Sequence, residues 1–473
     1  MGNGRGRWKL VTPVALAAGL LLRLWFVRHA PLVDGDGLVY GGIAENWLIR
    51  GVYGFYSDGA GGISPTLIRL PGYPMFLAAC FKLFGMQRYE AVRYVQVAFD
   101  LVTCGLCGAI ARRLLGHRAG VAVFCFAALC PFTANYAAAP LTETLVLLAM
   151  SATFYGYLRW IEAGAAFNPW LWLIGSSLAY SLLLRPEQVL FSVAILPAMW
   201  WVQRRSHRSL APIAVCAALV MLPLVAWTAR NWRTFHVLQP LAPRYANDPG
   251  ETPPLGFARW YRTWAVEFSS TDEVYWNYNS GPIDPAMLPE RAFDSATSSE
   301  TEHIRQRTLG VLHQYNQTGL QSTESEAGFR ALAEQRVQAH PTRYYILLPL
   351  GRLADMILRP RTEMMAVPLE WWRWREHPQI TLRAAAYAAL NFLYLGVGAA
   401  GFWKWRRSGF SPQPALVWAM LATVLLRCAL LLTVDNSEPR YTLEFFPILF
   451  IGAGALFARG NSDETPPTPE SLT

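Results

Sequence analysis

Ten stretches of this chain are mostly apolar for sixteen residues or more, and that pattern leaves few folds open. They are residues 10–27, 92–114, 119–138, 142–160, 169–184, 187–202, 210–228, 383–403, 415–433 and 441–457. A helix needs about 20 such residues to cross a bilayer, and in lipid only helices and closed barrels satisfy their own backbone polar groups. The expected fold is an all-α polytopic membrane protein with about ten transmembrane helices. Charged residues make up 15% of the chain, against about 25% in an ordinary soluble domain. The first apolar run follows Arg5, Arg7 and Lys9, as in a signal peptide. It is long enough to span and no clear cleavage site follows, so it reads as an uncleaved first helix.

Orientation follows from the basic residues, because cytoplasmic loops carry excess Lys and Arg. With the N-terminus inside, Arg112, Arg113 and Arg118, then Arg204, Arg205 and Arg208, then Lys404, Arg406 and Arg407, and finally Arg459 all fall inside. The short outer loops hold only Arg185 and Arg440. Two further apolar segments, 71–85 and 344–358, would each invert some of these clusters if they spanned alone. They are expected to be interfacial or re-entrant helices. Arg352 and Asp355 inside the second fit an interface, where charge is easily hydrated.

This topology leaves two large outer regions, the first loop at 29–90 and a polar stretch at 229–381. The pairs Trp260-Tyr261 and Tyr275-Trp276 and the run Trp371-Trp372-Arg373-Trp374 read either as sugar-stacking surfaces or as membrane-interface anchors. The net charge of +9 sits in short clusters between apolar runs, so it reports topology, and no nucleic-acid partner is expected. All seven cysteines lie in apolar stretches. The C-x-x-C spacing of Cys104 and Cys107 lacks the polar setting of a redox or zinc site. Residues 460–473 have the composition of a disordered tail.

The outer turns carry the candidate chemistry. Asp34-Gly-Asp36, with Tyr40 four residues on, lies just outside the first span. Arg69-Leu70-Pro71-Gly72-Tyr73-Pro74 opens the first interfacial helix. Leu141-Thr142-Glu143, Arg185-Pro186-Glu187 and Asp435 to Tyr441 occupy later outer turns. Each has a plain structural explanation: a turn, a Thr142 helix cap, a buried ion pair. All of them fall on one side of the membrane, where independent structural accidents would scatter. Carboxylates beside arginines suit a reaction that takes a proton from a hydroxyl and stabilises a departing phosphate.

The ordered set resembles the GT-C superfamily of membrane glycosyltransferases, and within it the bacterial relatives of protein O-mannosyltransferases and of the lipid A aminoarabinose transferase. The likeness is carried by Asp36 and Tyr40, then Ala44-Glu45-Asn46-Trp47-Leu48 and Gly51. It continues through Arg69 to Pro74, Leu83-Phe84-Gly85, Leu141-Thr142-Glu143, Arg185-Pro186-Glu187, Arg230-Asn231 and Glu438-Pro439-Arg440-Tyr441. The likeness marks 1–228 as the catalytic module; the outer region at 229–381, which follows from the topology, and the C-terminal helices at 382–459 complete the expected organisation. The resemblance implies transfer of a sugar, a hexose or a pentose, from a polyprenyl-phosphate donor to a lipid, glycan or protein acceptor. The reaction would take place on the non-cytoplasmic face of the inner or plasma membrane. Asp36 matches the first-loop acidic position and Glu143 the second, with Asp34 as helper. Some relatives use a divalent metal ion, and Asp34 with Asp36 is the pair that would help hold it. Arg69, near the basic position that relatives place before the proline though out of register with it, and Arg440 are the implied phosphate contacts. Tyr40, Arg185 and Glu187 complete the substrate-binding set. The alternative, a transporter or flippase of a lipid-linked saccharide, calls for internal repeats and polar mid-membrane residues. The sequence shows no repeat, and its polar groups gather at the outer mouth.

Overall fold

The computed structural model describes residues 4–56, 62–293, 298–365 and 367–458. Arg459 and the tail at 460–473 lie outside the described residues, as do the side chains of Arg5, Arg7 and Lys9.

The first helix, α1 (Gly4–His29), leads into α2 (Gly35–Arg50). Gly51 stops α2 with φ 72°, a left-handed cap that glycine adopts without strain. A short hairpin follows, β1 (Gly54–Tyr56) against β2 (Ile63–Pro65), with Gly54 opposite Pro65. A Cβ on Gly54 would lie 2.0 Å from the Ser64 carbonyl oxygen, so only glycine fits there. The helix α3 (Gly72–Phe84) covers the segment expected to be interfacial, and at 13 residues it is too short to span.

The packed bundle begins with α4 (Tyr89–Leu115), α5 (His117–Ala128), α6 (Pro131–Ala137), α7 (Glu143–Ala163), α8 (Pro169–Leu184), α9 (Val189–Arg205) and α10 (Ala211–Phe235). Every one of the ten apolar runs is helical. Seven helices are long and apolar enough to cross a membrane, and an eighth if α5 and α6, bent by 55°, form one broken span. The bend falls at Cys130, which precedes Pro131 and is therefore pushed out of the helical region. Helices α8 and α9, with 16 and 17 residues, fall short because the Arg185-Pro186-Glu187 turn interrupts the apolar sequence between them.

The outer region contributes α11 (Leu255–Tyr261), the single turn α12 (Phe268–Ser270), α13 (Ser298–Asn316), α14 (Thr323–Ala339) and α15 (Leu348–Leu358). Its core is aromatic: Phe257, Trp260, Tyr261, Trp264 and Phe329 are all buried. Trp260 and Tyr261 are therefore neither sugar platform nor membrane anchor. Trp372 and Trp374 remain exposed just before α16 (Pro378–Arg406). The chain continues through α17 (Pro414–Leu431), a tight 3-10 turn at Pro439–Phe445 and α18 (Phe446–Ala453).

Two local expectations are corrected. Arg352 does not face an aqueous interface. It is fully buried and donates to the carbonyl oxygens of Arg262 and Ala265. Asp355 accepts from the Ser437 hydroxyl at 2.7 Å and the Phe268 amide at 3.2 Å. The charged face of α15 thus fastens the outer region to the last outer turn, while Leu347, Leu350 and Leu358 stay exposed. Thr142 does not cap α7. Its hydroxyl accepts from Arg185 Nε at 2.8 Å, because Arg185 comes in from the end of α8.

Arg23 and Asp100, both within apolar runs, form a buried pair at 2.5 Å between α1 and α4. Paired in this way, two charges are tolerated inside a bundle. Asp100 stands eleven or more residues from either end of α4, so the pair fixes helix packing well away from the outer turns.

Candidate active site

The site gathers at one end of the bundle, where five chain segments meet. Asp36 lies in the first turn of α2, where the helix dipole favours a carboxylate. Arg69 precedes α3, and Gly72 sets its position: a Cβ there would lie 2.6 Å from the Leu183 backbone, so α3 approaches the end of α8 closely. Glu143 opens α7, Arg185 closes α8, and Arg440 sits in the 3-10 turn that begins at Pro439.

Asp36 bridges two arginines. Its Oδ1 accepts from Arg69 Nη2 at 2.7 Å and its Oδ2 from Arg440 Nη2 at 2.9 Å. Burial alone would raise the Asp36 carboxyl. The adjacent Arg440 and Arg69 outweigh it and hold the group well below the usual carboxylate range. Arg440 also pairs with Glu438 and stands 3.9 Å from Glu143. Tyr40 lies beneath Arg69, with the guanidinium 5.7 Å from its ring centre. Burial pushes its hydroxyl up to about 12, so Tyr40 stays neutral.

A second layer lies behind. Arg185 donates to Glu143 at 2.5 Å and stands 3.6 Å from Glu444 and 3.8 Å from Glu187. Arg427 pairs with Glu187 at 3.2 Å and Glu444 at 3.1 Å. The result is a continuous alternation of carboxylates and guanidiniums from Asp36 inward.

Two cavities flank this group. One of about 1800 Å³ runs from Asp36, Arg69 and Arg440 to Tyr278 and Arg330 of the region between α10 and α16. A second, of about 1050 Å³, is lined by apolar side chains such as Trp25, Phe26, Leu32 and Met364 together with charged ones such as Arg93, Glu363 and Arg383. Asp36, Trp276, Glu438 and Arg440 line both.

Of the residues singled out from sequence, Asp36, Arg69, Glu187 and Arg440 form the wall of the larger cavity. Glu143 and Arg185 are buried one layer behind it. Asp34 faces the smaller cavity and, among the described residues, forms no ion pair with the others. Both Asp36 oxygens accept from guanidiniums, so a divalent ion between Asp34 and Asp36 would have to displace Arg69 or Arg440. Among the described residues no three His, Cys, Asp or Glu side chains converge as metal ligands.

Sequence reasoning named Glu438 only as part of the 435–441 turn and passed over Arg427 and Glu444. Arg427 and Glu444 carried a usable signal, because a charge inside an apolar run marks a functional or paired position. Glu363, whose carboxylate accepts from the Tyr136 hydroxyl at 2.9 Å beside the smaller cavity, carried none.

Residues 68–228, about a third of the chain, match the dolichyl-phosphate-mannose-protein mannosyltransferase family. No curated protein matches the chain. Among solved structures it is similar to ArnT from Cupriavidus metallidurans bound to undecaprenyl phosphate, at 14% identity and a TM-score of 0.38, covering 96% of this chain and 78% of that one. It is also similar to the archaeal oligosaccharyltransferase AglB from Archaeoglobus fulgidus in complex with an inhibitory peptide and a dolichol-phosphate. There the identity is 11% and the TM-score 0.48, covering 96% of this chain and 50% of that one. Both structural likenesses are loose, and the chain spans only half the length of AglB. With its all-α bundle of apolar helices the chain is a polytopic membrane protein, and over residues 68–228 it resembles the dolichyl-phosphate-mannose-protein mannosyltransferases.

Proposed function

We propose that the chain transfers a sugar, a hexose or a pentose, from a polyprenyl-phosphate donor to an acceptor hydroxyl on a lipid, glycan or protein. The observation that carries this reading is the Asp36 carboxylate bridging Arg69 and Arg440 where the two cavities meet. The smaller cavity, with Trp25, Phe26, Leu32 and Met364 in its wall, suits a prenyl chain, and the larger one leaves room for an acceptor. The acceptor oxygen attacks the anomeric carbon. The bond from that carbon to the phosphate oxygen breaks, and its electron pair leaves on the phosphate. The hydroxyl proton passes to Asp36. Arg69 and Arg440 offset the charge on the departing phosphate. Glu143 and Arg185 brace Arg440 from behind. The excess of Lys and Arg in the opposite loops supports a site on the non-cytoplasmic face of the inner or plasma membrane.

The test is mass spectrometry of cell-envelope glycans from cells carrying the wild-type gene, its deletion, or Asp36→Asn. One glycan form should vanish in the deletion, return with wild type and stay absent with Asp36→Asn. Removing a general base costs about 10²–10⁴-fold in rate. Envelopes identical in all three strains overturn the reading.

A further inference from the structure

We propose that Asp36 is an internal stand-in for the donor phosphate: it occupies the two-arginine fork that the phosphate takes over, and donor arrival is an exchange of anions. This rests on the reading of Arg69 and Arg440 as phosphate contacts.

The geometry supports exchange over simple addition. Each Asp36 oxygen is taken by a different guanidinium, Oδ1 by Arg69 at 2.7 Å and Oδ2 by Arg440 at 2.9 Å. The donor phosphate is a diester, joined to the prenyl chain and to the sugar, and its two non-bridging oxygens present nearly the same pair of acceptors. A phosphate bound between the two arginines therefore needs the donors Asp36 now holds. All three side chains are reachable: those of Asp36, Arg69 and Arg440 are 26%, 24% and 17% exposed, and all line the larger cavity.

The arginines keep their places when the anion changes. Arg69 donates to the Ile68 carbonyl and lies over Tyr40. Arg440 is tied to Glu438 and faces Glu143. Asp36 has no comparable second anchor among the described residues, so the carboxylate is the group that moves.

The exchange sets an order of events. While two guanidiniums hold it, the Asp36 carboxylate is a poor proton acceptor. Phosphate binding frees it beside the sugar, in a site that now contains the donor. Proton removal from the acceptor thus waits for the donor, which protects the fork from idle chemistry.

The experiment measures binding of undecaprenyl phosphate to the purified full chain in nanodiscs, with thermal melting as a control for folding. Displacing the carboxylate costs two charge-assisted hydrogen bonds. Asp36→Asn and Asp36→Ala, freed of that competitor, should bind the lipid phosphate roughly tenfold or more tightly than wild type. Plain repulsion between Asp36 and phosphate would also tighten binding, so the gain is measured again in an Arg69→Gln background. With one of the two shared arginines gone, the gain should fall to about threefold. A gain that stays tenfold there means repulsion alone and overturns the exchange. Equal or weaker binding by both Asp36 variants also overturns it, while leaving the phosphate reading intact provided wild type binds. If no form of the chain binds undecaprenyl phosphate, the phosphate reading fails and takes the exchange with it.

Discussion

Asp36 and Arg440 stand 404 positions apart, yet Arg440 Nη2 donates to Asp36 Oδ2 at 2.9 Å. The loop that follows α1 and the turn at Pro439 therefore complete one site, and neither has it alone. The turn at Pro439 is fastened from the outer region. Ser437 exchanges hydrogen bonds with Thr271 at 3.1 and 3.2 Å and donates to Asp355. Arg361 reaches the Pro439 carbonyl at 3.0 Å. Packing of the C-terminal helices and docking of the outer region are thus both needed to present Arg440.

A pH dependence follows from the same contact. Burial opposes ionisation of Asp36, but Arg440 and Arg69 win, and its folded carboxyl titrates well below the ordinary range. In the unfolded chain it titrates near 4. A depressed carboxylate adds stability that is complete above the unfolded value and is lost as pH falls below it. Glu438 shifts the other way, raised first by burial, against the pull of Arg440. The comparison is therefore wild type against Asp36→Asn. Thermal melting from pH 7 to pH 3 should show wild type losing its advantage over the variant below about pH 4. A constant difference over that range would refute the assignment.

Arg427 is held by Glu187 and Glu444 and is almost wholly buried. Arg427→Ala leaves two carboxylates in the bundle without this partner, and breaking such a pair costs about 3–5 kcal/mol. The variant should melt well below wild type in detergent. Arg427→Ala with Glu444→Gln should recover part of the loss, since one stranded charge is removed. Equal melting of wild type and the single variant would show that Arg427 is not the cation that balances this layer.

Much of the fold was legible because apolar runs of this length leave the backbone no alternative to helix in lipid. All ten runs are helices, and 71–85 and 344–358 hold short helical segments. The hairpin of Gly54–Tyr56 with Ile63–Pro65 was not legible, since three residues per strand carry no periodicity. For the site, the residue types and their common face could be read, but not depth. Glu143 and Arg185 look like Asp36 and Arg440 in sequence, each an ionisable group at an outer turn. Only packing of α7 against α8 puts the first pair behind the second. The fate of Trp260 and Tyr261 was hidden for the same reason, because an aromatic run that forms a core reads like one that meets a sugar.

Orientation is testable at the two ends of α7. The helix starts at Glu143 in the site and ends near Glu162, which pairs with Arg113 at 2.6 Å. Twenty-one residues at a rise of about 1.5 Å each separate those ends by roughly 30 Å, a bilayer core. Cysteines placed at 34 and 300 should react with an impermeant maleimide from the non-cytoplasmic side. Cysteines at 118 and 407 should react only after the membrane is opened. Labelling of 34 from the cytoplasm alone would invert the topology and the site with it.

The last prediction separates the layers of the site by binding. Arg69 and Arg440 line the large cavity, whereas Arg185 is spent on Thr142 and Glu143 and does not reach the wall. Arg69→Ala and Arg440→Ala should each weaken binding of undecaprenyl phosphate, by about 2–5 kcal/mol where a desolvated charge contact is lost. Lysine at either position should restore only part of the affinity, because an ammonium has no planar fork to span two oxygens. Arg185→Ala should act differently. It strands Glu143 and loosens the brace behind Arg440, so melting temperature and transfer rate should fall more than affinity does. Isothermal titration of all three alanine variants, alongside their melting curves, decides the point. If Arg185→Ala loses affinity as Arg440→Ala does while its melting is unchanged, Arg185 reaches the phosphate and the two-layer arrangement is wrong.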